Sequence, residues 1–404
     1  MMAGKMSPKA NRKKRQRGIA LIVVLVLLGL LVGVLVVGFT GDLARQNKKQ
    51  QQTTDALAKA KEALIGRAAS DSSIPGSLPC PDLITNIPGT NVPNDGIADL
   101  FSGTKCPSYI GRLPWRTLGL PDLRDASGER LWYALSPNFR DHPSASPLNS
   151  DTTGQLTITG AAAASNVIAI VFAPGPVVGS QVRDGANQNA VTNYLEGGNE
   201  TGIATNTFVT GQPTDAFNDA LLPITSDALF SVVELRVLRE MRIALRAYRS
   251  NILHPYFPGA NPYTDGTYSC NYLTYQGRLP LNINLGCAAL ADWGTDLPVW
   301  FGTNNWQNVT YYAVSPCQIG VGAIVLGALT ALCVTTGNLS VDGNTSVEAV
   351  VFTAGSRIAA LGQSRPCTSV SACLEGTENT NGDNVFVSPV RSATNNDRLL
   401  IVWP

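Results

Sequence analysis

Apolar and polar positions along the chain fall into two helical patterns and a series of short strand-like runs. Residues 19–39 carry no charge and no strongly polar group, and at ~1.5 Å per residue such a run matches a bilayer core of roughly 30 Å. One membrane-spanning helix is expected there. Helical spacing continues beyond it, because 46–52 are helix formers and Leu57, Ala60, Leu64, Ile65 and Ala68 recur at i, i+3 and i+4. A single helix over 19–69, on the order of 75 Å long, follows, with Lys59, Lys61, Glu62 and Arg67 on its solvated face. A second helix is expected over 226–250, where Thr225-Ser226-Asp227 signals a cap and Leu229, Val232, Val233, Leu238, Met241, Leu245 and Tyr248 share a face.

The strand-like runs are 130–135, 156–159, 167–172 and 207–210, then 311–314, 339–341, 349–353, 384–387 and 399–403, each short and β-branched or aromatic. They belong to a repeat. Tyr109-Ile110-Gly111-Arg112-Leu113-Pro114 returns as Tyr275-Gln276-Gly277-Arg278-Leu279-Pro280, and Tyr133-Ala134-Leu135-Ser136-Pro137 as Tyr312-Ala313-Val314-Ser315-Pro316. The stretch from Val167 to Gly175 returns from Val347 to Gly355, Leu195-Glu196-Gly197 as Leu374-Glu375-Gly376, and Asp219-Ala220-Leu221-Leu222 as Asp397-Arg398-Leu399-Leu400. Offsets that drift only between 166 and 180, always in one order, indicate a tandem duplication. The period is far longer than a solenoid repeat, so two modules are expected, each a helix followed by an antiparallel sheet, an α+β layout.

The copies differ in one place. Between Cys317 and Cys333 the second carries an apolar, glycine-rich insert, 319–332, where the first has polar residues. Two readings stay open: a strand or buried loop filling its own module, or an exposed contact patch that docks another subunit or a surface.

Charge sharpens the division of the chain. The total is +1, but residues 1–18 hold seven of the 30 Lys and Arg and no acid, leaving 23 bases against 29 acids, a balance of −6, in the rest. An acidic body without a basic stripe argues against nucleic acid as a partner. The eight cysteines, Cys80, Cys106, Cys270, Cys287, Cys317, Cys333, Cys367 and Cys373, all follow the apolar run. An even number in an exported body reads as four disulfides, with connectivity open among 105 possibilities. The local pairing is preferred, in which each neighbouring pair brackets one loop and contributes roughly 2–4 kcal/mol.

The basic stub Lys13-Lys14-Arg15-Gln16-Arg17-Gly18 followed by Ile19-Ala20-Leu21-Ile22-Val23 resembles the signature of type IV prepilins and type II secretion pseudopilins. The resemblance covers roughly the first 50 residues and implies a cut by a prepilin peptidase between Gly18 and Ile19, methylation of the new N-terminus, and retention of the apolar segment as a filament core. In this family the fifth mature residue is usually Glu, whereas this chain has Val23. That departure resembles the minor, tip-located subunits.

The expected organisation is therefore a leader, 1–18; a transmembrane and spine helix, 19–69; a first pilin-like module, 70–225; and a duplicated second one, 226–404, disulfide-stapled. The resemblance implies an inner-membrane, single-pass protein with its body in the periplasm, whose partners are other pilin or pseudopilin subunits and the prepilin peptidase. The alternative is a membrane-anchored periplasmic binding or adhesive protein that does not polymerise. No catalytic motif is legible, and His142 and His254 lack metal-ligand spacing to any cysteine. Asn94-Asp95-Gly96 with Asp99, and 381–384 with Glu378, offer oxygen ligands to Ca²⁺, although neither fits the EF-hand loop and turn chemistry explains Asp-Gly and Asn-Gly more cheaply. No other cofactor is expected.

Overall fold

A computed structural model describes residues 44–82, 94–145, 147–250, 256–283, 297–319 and 337–404. Two compact units result, Met1–Asp55 and Ala56–Pro404, and both repeat modules lie in the second.

The first helix is described over 44–70. Its residues are mostly exposed as far as Asp55, and from there the face formed by Ala56, Leu57, Ala60, Leu64 and Ala68 is buried. The helix ends where Asp71 accepts the N–H groups of Ser73 and Ile74 at 2.9 and 2.7 Å, and Arg67 pairs with Asp71 at 2.6 Å. The expected long transmembrane helix ahead of the modules is corrected: among the described residues no helix is long and apolar enough to cross a membrane. The physical reason is that the apolar positions of 44–70 form one stripe packed against protein. The apolar run 19–39 itself lies outside the described residues.

The first module contains β1 (Ile110–Arg112), β2 (Trp132–Leu135), β3 (Leu156–Gly160), β4 (Ala164–Ala173), β5 (Thr207–Thr210) and β6 (Ala220–Thr225). Its sheet runs β1-β2-β4-β3-β5, with β6 also paired to β4. The second helix (Ser226–Ser250) follows β6 directly, capped by Thr225 Oγ1, which accepts Ala228 N–H at 3.3 Å. Then come β7 (Gln276–Gly277), β8 (Thr310–Val314), β9 (Leu339–Val341), β10 (Asn344–Val347), β11 (Ala349–Thr353), β12 (Val385–Phe386) and β13 (Arg398–Trp403).

These strands reproduce the first sheet in two pieces, β13-β11-β8-β7 and β10-β9-β12. The registers agree residue by residue: Ala134 pairs with Ile170 and Ala313 with Val350, and Val171 pairs with Leu222 and Val351 with Leu400. Pairing is antiparallel, as expected, except for one ladder in each module. β3 pairs with β5, and β9 with β12, in parallel. The connections 174–206 and 354–384 are long enough to bring the later strand back in the same direction as the earlier one, as parallel pairing requires.

Strand alternation buries both faces of each sheet. Tyr133, Leu135, Ile168 and Val171 face one large core shared with both helices and with Tyr312, Val314 and Val351 of the second module. On the opposite faces Trp132, Ile170, Phe172 and Phe208 form one satellite cluster, and Tyr311, Val350, Phe352 and Phe386 form its counterpart. Phe172 lies 5.3 Å from Phe208 and Phe352 lies 5.6 Å from Phe386, centroid to centroid.

The repeated Gly-Arg-Leu-Pro has a steric basis. A Cβ on Gly111 would lie 2.7 Å from the Asp82 carbonyl oxygen, and one on Gly277 would lie 2.3 Å from that of Asn261. The following arginines pack beneath rings: Arg112 lies over Trp132 and Tyr194, and Arg278 over Tyr263 and Tyr268.

Candidate functional site

Gly18, Ile19 and Val23, the residues of the processing signature, lie outside the described residues, as do Cys287, Cys333, His254 and the insert from Gly320 onward. Cys80 is joined to Cys106 and Cys367 to Cys373, and Cys270 and Cys317 are disulfide-bonded as well. Asp95 caps its own turn, its Oδ1 accepting Ile97 N–H at 2.8 Å, while Asp99 is buried. The second oxygen-rich stretch does the same, with Asn381 Oδ1 accepting Asp383 N–H and Asp383 Oδ1 accepting Val385 N–H. Among the described residues no group of three or more His, Cys, Asp or Glu is placed to hold a metal ion.

The structure brings together a different set, and does so twice. In the first module Asp219, at the foot of β6, accepts Glu196 N–H and Asn199 Nδ2–H on Oδ2, both at 2.9 Å. Glu196 in turn accepts Asn218 N–H at 3.2 Å and the side-chain amide of Gln181. Asn199 closes the set on β5, accepting Val209 N–H at 2.7 Å and donating to Val209 O at 3.2 Å.

In the second module Asp397, before β13, accepts Glu375 N–H at 2.6 Å. Glu375 accepts Asn396 N–H at 2.9 Å, Asp397 N–H at 3.1 Å and the amide of Gln363. Asn379 holds Val387 N–H at 2.9 Å and Val387 O at 3.0 Å. An arginine two residues after each glutamine binds the matching glycine carbonyl, Arg183 to Gly175 O at 2.7 Å and Arg365 to Gly355 O at 3.2 Å.

All four carboxylates are buried. Burial, joined by the neighbouring Glu196 carboxylate, pushes Asp219 up to about 8. Burial and the Glu375 carboxylate likewise raise Asp397 well above the usual carboxylate range. Folding therefore favours the protonated form of Asp219 and of Asp397. None of the four carboxylates lines the small cavity beside Asp82 or the cleft between the modules. Their geometry serves to pin the loops after 196 and 375 and the neighbouring edge strands to the sheet.

No family model, no curated protein and no solved structure matches this chain.

Among the described residues three further acids are raised. Burial raises Asp82 to about 6 against the opposing N–H groups of Gly96 and Asn94, 2.8 and 2.9 Å away. Glu234, buried in the second helix, is pushed to about 7 by burial, although Arg391 and Arg398 stand 3.1 and 3.3 Å away. Asp141 is raised by burial and by Asp71, with Arg67 opposing from 2.9 Å.

Sequence reasoning marked Glu196, Asp219, Glu375 and Asp397 only as repeat landmarks. The available signal was the recurrence of acids within otherwise apolar matches, together with Gln181-Val182-Arg183 returning as Gln363-Ser364-Arg365.

Proposed function

We propose that this chain is a minor pilin- or pseudopilin-like structural subunit, set at or near the tip of a type IV pilus or a type II secretion pseudopilus. On this reading a prepilin peptidase removes residues 1–18 at the cytoplasmic face, the apolar segment 19–39 stays with the mature chain at the inner membrane, and the disulfide-bonded body stands in the periplasm. Its partners are other pilin or pseudopilin subunits, and it is not an enzyme. The observation that carries the reading is the helix 44–70, which follows the apolar segment in the sequence and passes from exposed at its start to packed against sheet residues from Ala56 onward.

The duplicated body adds support, since two fused heads suit a terminal subunit better than a repeating shaft. Val23 in place of the usual Glu points the same way. Replacing Gly18 with a bulky residue tests the reading: the Gly18→Val chain keeps its leader in cells that contain a prepilin peptidase, and its mature mass exceeds the wild type's by residues 1–18. Equal masses would count against it.

The alternative, an anchored binding protein that never polymerises, is favoured by one observation, a polar cleft between the two modules.

A further inference from the structure

Where the two modules meet, the connection between β2 and β3 faces the segment before β8 and the turn at Arg365-Pro366 across a cleft of about 300 Å³. Ligand clefts of this size, roughly 300–1,000 Å³, favour domain boundaries. Part of the lining is fixed by the modules' own contacts. Asn149 donates to the carbonyls of Asn304 and Asn305 at 3.0 and 3.3 Å, Thr152 Oγ1 accepts Asn149 N–H at 3.1 Å, and Ser150 Oγ donates to Ala354 O at 2.7 Å. The walls are thus held before anything binds.

The remaining valences define the ligand. Asn308 accepts the Tyr268 hydroxyl at 2.6 Å on Oδ1, leaving its Nδ2 donors, and Asn305 accepts from Gln307 on Oδ1, leaving its own. Asp151 accepts Arg357 N–H at 3.0 Å on Oδ1, leaving Oδ2 as an acceptor. Arg365 directs Nη1 and Nη2 at four backbone carbonyls, and its buried Nε has no partner. An anion would meet the Asp151 carboxylate, and the one guanidinium present is already occupied on both terminal nitrogens. A cation would find a single half-occupied carboxylate beside that guanidinium.

A hydroxyl, which donates and accepts at once, fits a lining of this kind, and Pro147, Val309 and Pro366 offer an apolar surface to the C–H face of a ring. We propose that the inter-module cleft binds a neutral, hydroxyl-rich ligand of the carbohydrate class. The proposal is independent of the leader and of filament assembly, so its failure would leave the processing test untouched.

The test is titration of the full-length protein with glucose, galactose and N-acetylglucosamine, and with phosphate and acetate as anion probes, followed by calorimetry and by the side-chain amide NMR signals of Asn305 and Asn308. The expected result is saturable binding of at least one sugar that shifts both amide signals, with no binding of either anion. Asp151→Asn, which keeps the Arg357 contact, and Asn308→Ser each weaken binding by roughly tenfold or more. Should a variant fail to fold, the wild-type amide shifts decide. The proposal is overturned if no sugar saturates, if an anion binds instead, if the sugar leaves both amides unshifted, or if both folded variants bind as tightly as wild type.

Discussion

Tyr133 and Tyr312 make the same bond in the two modules. Each Oη donates to a proline carbonyl 54 residues upstream, Tyr133 to Pro79 at 3.3 Å and Tyr312 to Pro258 at 2.9 Å, and both rings are fully buried. The bond ties the segment leaving each helix to the centre of its sheet. Removing either hydroxyl leaves a carbonyl without that donor, so Tyr312→Phe should lower stability by about 1 kcal/mol and Tyr133→Phe, with the longer bond, by less. Denaturant melts of the two variants check the order.

The repeated glycines give a sharper steric expectation. Gly277→Ala would place a methyl group 2.3 Å from the Asn261 carbonyl oxygen, and Gly111→Ala one 2.7 Å from that of Asp82, both against backbone that cannot swing aside. Each should destabilise by roughly 2 kcal/mol or more. Gly266→Ala, with nothing within 4 Å of the new methyl, is the control and should stay within about 0.5 kcal/mol of wild type. Equal behaviour of Gly277→Ala and the control would contradict the packing described.

Stability should fall as pH rises toward and past neutrality. Asp219 goes from an ordinary 3.8 to about 8 on folding, and burial and the Glu375 carboxylate raise Asp397 in the same sense. A carboxyl whose folded value is raised holds its proton more tightly when folded. Its contribution is therefore complete below about pH 4 and lost as pH climbs through about 8. Glu234, raised to about 7, adds to the same slope. Asp219→Asn keeps an oxygen for Glu196 N–H and cannot ionise, so its melting temperature should vary less between pH 5 and pH 8 than the wild type's, by a difference worth a few kcal/mol at most. Parallel wild-type and variant profiles would refute the raised Asp219 carboxyl.

The two described bridges should differ in weight. Cys80–Cys106 closes a loop of 26 residues and Cys367–Cys373 one of 6. On chain entropy alone their removal costs about 3.5 and about 2 kcal/mol. Paired Cys→Ser substitutions, compared by denaturation midpoint, measure the ranking.

Some of this architecture was legible in the sequence. The second helix spans Ser226–Ser250 as its cap signal and apolar spacing implied, and β2, β4, β8 and β11 lie in or around the short aromatic and β-branched runs that marked them. β6 was missed because Pro223 sits inside it, which an edge strand tolerates because its free side needs no donor. β10 was missed because Asn344, Thr345 and Ser346 are exposed and polar. The parallel pairs could not be read, because strand direction depends on how the connections at 174–206 and 354–384 return. Nor could the acids of the candidate site be told from solvated ones. Glu196 and Asp219, or Glu375 and Asp397, reveal their burial only once residues about 22 apart meet.

The central claim concerns the N-terminus of the mature chain, and intact-mass spectrometry of protein purified from cells that carry a prepilin peptidase tests it most directly. The account predicts a chain that begins at N-methylated Ile19, whereas a chain that begins at Met1 or Met2 would contradict it.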